Sequence, residues 1–134
     1  MIKPHIIHNR QLGNVIDDIL NIGGFEISAM EMLYLNKNNA AEFFEVYKGV
    51  MPEFNLMTDY LCSSGPVVVM EVRQDDCVQK LRKFCGPHDP VEAKGYNPES
   101  LRAKYGIDKI KNAVHCTDLV EDGLLECEYF FVLL

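Results

Sequence analysis

The 134-residue chain carries 13 Lys+Arg against 20 Asp+Glu, a net charge of −7 with its four histidines neutral, and 48% of its residues are hydrophobic. A chain of this length and balance is one domain able to bury roughly two-thirds of its unfolded surface, which excludes intrinsic disorder. No stretch approaches ~18 consecutive apolar residues and no basic N-terminal segment leads into an apolar run, so neither a membrane span nor a signal peptide is read and the expected setting is cytoplasmic. The five cysteines are odd in number and form no CxxC pair, as expected of reduced thiols. An acidic surface with dispersed Lys and Arg argues against sequence-specific nucleic-acid binding, while a local basic pocket would suit a small phosphorylated ligand.

Taken in chain order, Met1-Ile2-Lys3-Pro4 opens on a strand already under way, as in a domain cut from something longer. Leu12, Val15, Ile16, Ile19 and Leu20 form the stripe of an amphipathic helix that Gly23-Gly24 stops. Phe25, Ile27, Ala29, Leu33 and Leu35 share one parity and predict a long half-buried strand, followed by turn and cap residues from Asn36 to Asn39. Ala40, Phe43, Phe44 and Tyr47 recur at helical spacing, and Pro52 separates them from a second helix through Phe54, Met57 and Leu61. Val67 to Val72 is a branched apolar run of central-strand type. Asp75 or Asp76 then caps a helix carrying Val78, Leu81 and Phe84. Gly86, Pro87, Pro90, Gly95 and Pro98 predict a long loop between Cys85 and Glu99. A short helix at Leu101 to Tyr105, a strand at Asn112 to His115 and a last helix from near Asp118 complete the chain. The order β-α-β-α-β-α-β-α predicts an α+β, ferredoxin-like βαββαβ fold. One antiparallel sheet has helices on one face and a helical hairpin inserted between strands two and three.

His115 falls where the last strand hands over to a polar helix start, and histidine is a neutral nucleophile near pH 7 that can form a phosphoryl intermediate. Lys3, Arg82, Arg102 and Asn112 supply cations and donors suited to phosphate oxygens. Other clusters have plainer readings. His5 and His8, on a strand leading into a loop, need not converge on a metal. Asp75-Asp76 and Glu121-Asp122 are read as helix-start charges, and Phe43-Phe44 and Phe130-Phe131 as core or subunit interface.

Met1-Ile2-Lys3-Pro4, Ser64-Gly65-Pro66-Val67-Val68-Val69-Met70 and Asn112-Ala113-Val114-His115-Cys116-Thr117-Asp118 resemble, in that order and spacing, the signature segments of nucleoside diphosphate kinases. The last segment is similar to the family's Asn-x-x-His-x-Ser-Asp, with Cys116 and Thr117 in place of Gly and Ser. The tail from Asp118 to Glu126 resembles most closely the second kinase-like domain of tandem-domain members associated with cilia and microtubules, so residues 1–134 are read as one domain of a longer protein. The resemblance implies a ping-pong transfer in which ATP phosphorylates His115 and the phosphohistidine passes the group to a nucleoside diphosphate. It implies phosphate or ribose contacts from Lys3, Tyr47, Arg82, Arg102 and Asn112, base stacking on Phe54, and orientation of His115 by Thr117 and Glu126. It also implies Mg²⁺ held mainly by the nucleotide phosphates, a homo-oligomer, and a parent protein with microtubule-associated partners at a flagellar axoneme, centrosome or basal body. The chain departs from the pattern at His88, where the family has a phosphate-contacting Thr, at Thr58 and Lys109, where it has the apolar partners of its base clamp, and at His5, where an Asp commonly follows Lys-Pro. These departures set a second expectation beside the kinase: a catalytically weak or inactive nucleotide-binding or scaffold domain.

Overall fold

The computed structural model describes residues 1–134. Pro4 ends the opening strand almost at once, because proline has no N–H for a ladder and fits the first turn of a helix. The helix α1 therefore runs Pro4–His8 where the sequence reading placed a strand and loop. Helix α2, Leu12–Asp17, buries Val15 and continues through a wider turn, Asp18–Ile22, that buries Ile19. Gly24 then turns the chain out with a φ of 69°, a conformation an L side chain resists.

Strand β1, Glu26–Leu33, pairs antiparallel with β2, Val67–Arg73, from Glu26↔Arg73 to Leu33↔Val67. A register shift between Ile27 and Ala29 alters the one-parity reading of this run. The extra residue swaps faces, so Phe25 and Ile27 pack with one core cluster while Leu33 and Leu35 pack with the other. The expected first and fourth strands shrink to single bridges: Ile2 pairs antiparallel with both Val68 and Val114. The resulting spatial order is β1, β2, Ile2, Val114, the order of a ferredoxin-like βαββαβ sheet. Ala113, with a φ of 77°, breaks the extended conformation on which a longer fourth strand depends.

The inserted hairpin forms as expected, with α3 at Lys37–Phe43, a short turn at Glu45–Tyr47 and α4 at Phe54–Ser63; Asn36 caps α3 by accepting from the Asn39 N–H at 2.8 Å. Helix α5, Cys77–Cys85, follows β2, but neither Asp75 nor Asp76 caps it by a side-chain bond, and Asp76 itself is left-handed with a φ of 51°. The expected loop after Cys85 contains a helix, α6, at Pro90–Tyr96. Asp89 accepts from the Val91 N–H and Pro90 occupies the first turn, so the proline read as a breaker is a helix start. Helix α7 is Leu101–Tyr105, capped by Ser100, and α8 is Gly123–Glu128, entered through a tight turn at Val120–Asp122 and leaving through a wider one at Tyr129–Leu133.

Both faces of β2 are covered. Val68 packs with Ile2, Val15 and Leu101 beneath α2, α5 and α7. Val67 and Val69 pack with Phe44, Phe54, Leu61 and Phe130 beneath the hairpin and the C-terminal segment. On α4, Leu61 is fully buried whereas Leu56 is 65% exposed. Leu61→Ala should therefore cost roughly 2–5 kcal/mol in urea unfolding, and Leu56→Ala should stay within about 0.5 kcal/mol of the parent.

Candidate active site

Two backbone hydrogen bonds fasten the segment around His115 to the start of the chain: Lys3 N donates to Ala113 O at 2.9 Å, and His115 N donates to Met1 O at 2.8 Å. The left-handed Ala113 redirects the chain just before the Val114 bridge, and His115 is left against the inserted hairpin. Its imidazole meets Phe43 and Phe44 edge-on, with ring centroids 5.5 and 5.0 Å away, and Tyr47 at 6.4 Å. These contacts give Phe43 and Phe44 a role that their reading as core or interface missed. The signal was their helical spacing to Tyr47, which puts all three near one side of the hairpin.

His115 Nε2 lies 3.0 Å from Glu126 Oε1. The two residues are 11 positions apart, and the chain joining them is not one straight helix, because it is extended at Leu119 and turns at Val120–Asp122 before α8 begins. A carboxylate oxygen accepts, so the ring proton sits on Nε2 and the Nδ1 lone pair is left free. Burial pushes the imidazole down to about pKa 4, with the Glu126 hydrogen bond pulling in the opposite direction. His115 is thus neutral at pH 7, in the tautomer that exposes a nucleophilic nitrogen. Thr117, expected to help orient it, makes no hydrogen bond to His115 or Glu126.

The ring lines a cleft of ≈ 160 Å³ in which Lys3, Tyr47, Arg82, His88, Arg102 and Asn112 come together. Lys3 is 2% exposed, donates to Ile110 O at 3.1 Å, and is pushed down to about pKa 7 by burial and by the neighbouring Arg102. Arg102 donates to Gly86 O at 2.7 Å and to Val114 O at 3.0 Å, while its Nε is buried without a partner. Gly86 has a φ of 83°, and a Cβ there would collide with the Ser100 side chain, so the close approach of this carbonyl to α7 requires glycine. Asn112 donates to His88 O at 2.9 Å and lies 3.3 Å from His88 Nδ1; its own Oδ1 is buried and unpartnered. Arg82 donates to both the main-chain and side-chain oxygens of Asp118 at 2.9 Å. Two guanidinium cations and a lysine poised near its pKa at neutral pH, against one lining carboxylate and with the Arg102 Nε donor still unpaired, make a site complementary to a polyanion. Asp118 was missed as a site residue although it ends the His115 segment.

Phe54 is not at the cleft: it is 7% exposed within the hairpin core, and Met51 and Met57 form the apolar wall in its place. Phe54, expected to stack on the base, packs its ring with Leu35, Phe44 and Leu61 where α4 docks on β2. Thr58 is buried with its hydroxyl bonded to Asn55 O at 3.2 Å, and Lys109 is exposed outside the cleft. His5 and His8 lie on α1, where His5 is buried and His8 exposed, so they do not form a pair.

The family model described as "Nucleoside diphosphate kinase" matches residues 1–133. The chain belongs to the nucleoside diphosphate kinase family. A nucleoside diphosphate kinase from Nitratiruptor sp. is 40% identical over 131 residues, 98% of this chain and 91% of that protein. "Nucleoside diphosphate kinase homolog 7" of Rattus norvegicus is 49% identical over all 134 residues, but the chain spans only 33% of its length, and the same holds for the Mus musculus protein. The crystal structure of the Aquifex aeolicus nucleoside diphosphate kinase superposes with a TM-score of 0.90 at 33% identity, covering 97% of this chain and 90% of that one. No helix is long and apolar enough to cross a membrane.

His115 takes up a proton near pH 6.5 when unfolded and near pH 4 when folded, so the unfolded chain binds more protons throughout that window and stability falls as pH is lowered through it. Urea midpoints between pH 7 and pH 4 should therefore fall more steeply for the wild type than for His115→Ala.

Proposed function

We propose that this domain transfers the terminal phosphoryl group of a nucleoside triphosphate to a nucleoside diphosphate through a phosphohistidine at His115. The observation that carries the reading is a neutral imidazole with Nε2 anchored on Glu126 and Nδ1 free, beside a cleft lined by Lys3, Arg82 and Arg102. Nδ1 attacks the terminal phosphorus and forms an N–P bond, while the bond to the bridging oxygen breaks and the diphosphate leaves with the electron pair. The ring becomes cationic, and Glu126 stabilises it through the Nε2–H it already accepts. Lys3, Arg82 and Arg102 offset the charge on the phosphoryl and leaving oxygens, and fixed donors of this kind need no rearrangement when that charge develops. A second nucleoside diphosphate then takes the group by the reverse step.

No set of three or more His, Cys, Asp or Glu side chains is placed to hold a metal ion, and Asp118 is the one carboxylate lining the cleft. This donor set fits Mg²⁺ that arrives on the nucleotide phosphates, where it would neutralise their charge, with Asp118 the side chain available to it. The Met51 and Met57 wall offers contact area with no donors matched to a base edge, which supports broad base acceptance. Met30, Met32 and Tyr34, all more than half exposed on and just after β1, support assembly into a homo-oligomer. The match to one-third of a longer relative supports a place as one domain of a multi-domain protein. Microtubule-associated partners and a ciliary, flagellar or centrosomal location belong to that parent and rest on the resemblance of the Asp118–Glu126 tail.

A second reading, nucleotide binding without transfer, is favoured by the burial of Phe54, the unbonded Thr117 and the replacement of a threonine by His88. Incubation with γ-labelled ATP and Mg²⁺ separates the two. The kinase gives acid-labile, base-stable label on the wild type, none on His115→Ala, and release of that label as GTP on a GDP chase. Absence of label, with ATP still raising the melting temperature, identifies the binding module.

A further inference from the structure

His5 is 6% exposed, in the first turn of α1, and has no part in the chemistry above. Its Nε2 accepts a hydrogen bond from the Ala113 N–H at 2.9 Å, across 108 residues of sequence. Ala113 is fully buried and holds a φ of 77°, a conformation a residue with a Cβ keeps only where its surroundings impose it. The surroundings are the N-terminal segment: His5 takes the N–H of Ala113, Lys3 N donates to its carbonyl at 2.9 Å, and Met1 O receives the N–H of His115 two residues on. The turn that aims His115 is thus gripped at both of its peptide groups.

The arrangement carries a cost that core packing does not explain. Acceptance at Nε2 places the ring hydrogen on Nδ1, and Nδ1 is buried with no partner. An apolar side chain of similar size would remove that unmet donor, but it would also release the Ala113 N–H. Burial, with Lys3 and Lys111 nearby, keeps the ring neutral by pushing it down to about pKa 4, and only the neutral ring can accept at Nε2. The backbone N–H of His5 donates to the Tyr60 hydroxyl at 2.7 Å, so the imidazole is referenced to α4 of the inserted hairpin, on which the cleft's apolar wall also depends.

We propose that His5 is a positioning residue for the phosphoryl-accepting His115, acting by holding the left-handed Ala113 turn. This rests on the phosphohistidine reading, and the test separates the two. The variants are His5→Gln, whose carbonyl reaches about as far as Nε2, and His5→Asn, whose carbonyl falls one methylene short; both are polar and of similar bulk, so loss of packing is shared between them. The single-turnover rate of His115 labelling from γ-labelled ATP should fall ~10- to 100-fold in His5→Asn and stay within about threefold of wild type in His5→Gln, since a misplacement on the order of 1 Å costs about that much. The dissociation constant for ATP should stay within about twofold in both, because no nucleotide-contacting side chain is changed. In parallel, the ¹⁵N shifts of the His115 ring should move in His5→Asn and return toward the wild-type values in His5→Gln. Equal labelling rates and unchanged ring shifts in the two folded variants overturn the proposal. Should the wild type itself take no label, the phosphohistidine reading falls, and the His115 ring shifts alone still decide whether His5 positions that imidazole. If His5→Asn does not fold, a through-hydrogen-bond ¹⁵N–¹⁵N coupling between Ala113 N and His5 Nε2 in the wild type supports the grip, and its absence overturns it.

Discussion

The structure depends on the first three residues of the chain lying between β2 and the His115 segment. Ile2 exchanges hydrogen bonds with Val68, N to O at 2.6 Å and O from N at 3.1 Å, while Lys3 and Met1 bond to Ala113 and His115 on the other side. A two-stranded ribbon is marginal by itself; this bridge extends it to a four-element sheet and gives Ile2, Ile6, Val68 and Val114 a common core. The same few bonds set where His115 stands relative to Lys3, so fold and site share one constraint.

From that constraint follows the electrostatic character of the cleft. Lys3 and Arg102, at 2% and 8% exposure, are cationic side chains that an ordinary core excludes, and burial beside Arg102 brings Lys3 down to about pKa 7. Each is tied to main-chain carbonyls, of Ile110 for Lys3 and of Gly86 and Val114 for Arg102, which fixes their direction but does not neutralise them. Buried cations left without a buried counter-charge lower stability and raise affinity for an anion, and a site built for charge that develops during reaction needs that imbalance. The aromatic edges of Phe43, Phe44 and Tyr47 and the carboxylate of Glu126 complete the setting by excluding water from one side of the imidazole and fixing its tautomer.

Much of this was legible in the residues. The stripe from Leu12 to Leu20, the branched run at Val67 to Val72 and the hairpin divided at Pro52 formed where their patterns placed them, because each pattern is local and turns apolar side chains inward, although Leu20 at the end of the stripe is exposed. The segment from Cys85 to Glu99 misled because Pro90 and Gly95 are breakers only in isolation; with Asp89 before it, Pro90 starts α6. The parity of β1 misled because a bulge has no composition of its own: nothing in Ile27-Ser28-Ala29 announces that the strand changes faces there. Among the candidate site residues, Lys3, Tyr47, Arg82, Arg102, Asn112 and His115 line one cleft and Glu126 lies against His115, whereas Phe54 turns into the core and Thr117 makes no bond to the histidine.

By itself, the sequence determined which chemistry was available: a histidine in a family segment, cations spread along the chain, a carboxylate downstream, and helices and strands of the right order. Residue type and local periodicity are properties of neighbours, and they carry that much. Only the tertiary structure decided which imidazole nitrogen is free, because that depends on Glu126 reaching back through a bend after Asp118. It also decided that Phe43 and Phe44 line the histidine while Phe54 does not, and that His5, 108 residues away, holds the turn before it. Hydrogen bonds and ring contacts act within a few ångströms, and whether distant residues come that close is settled by how the elements pack against one another.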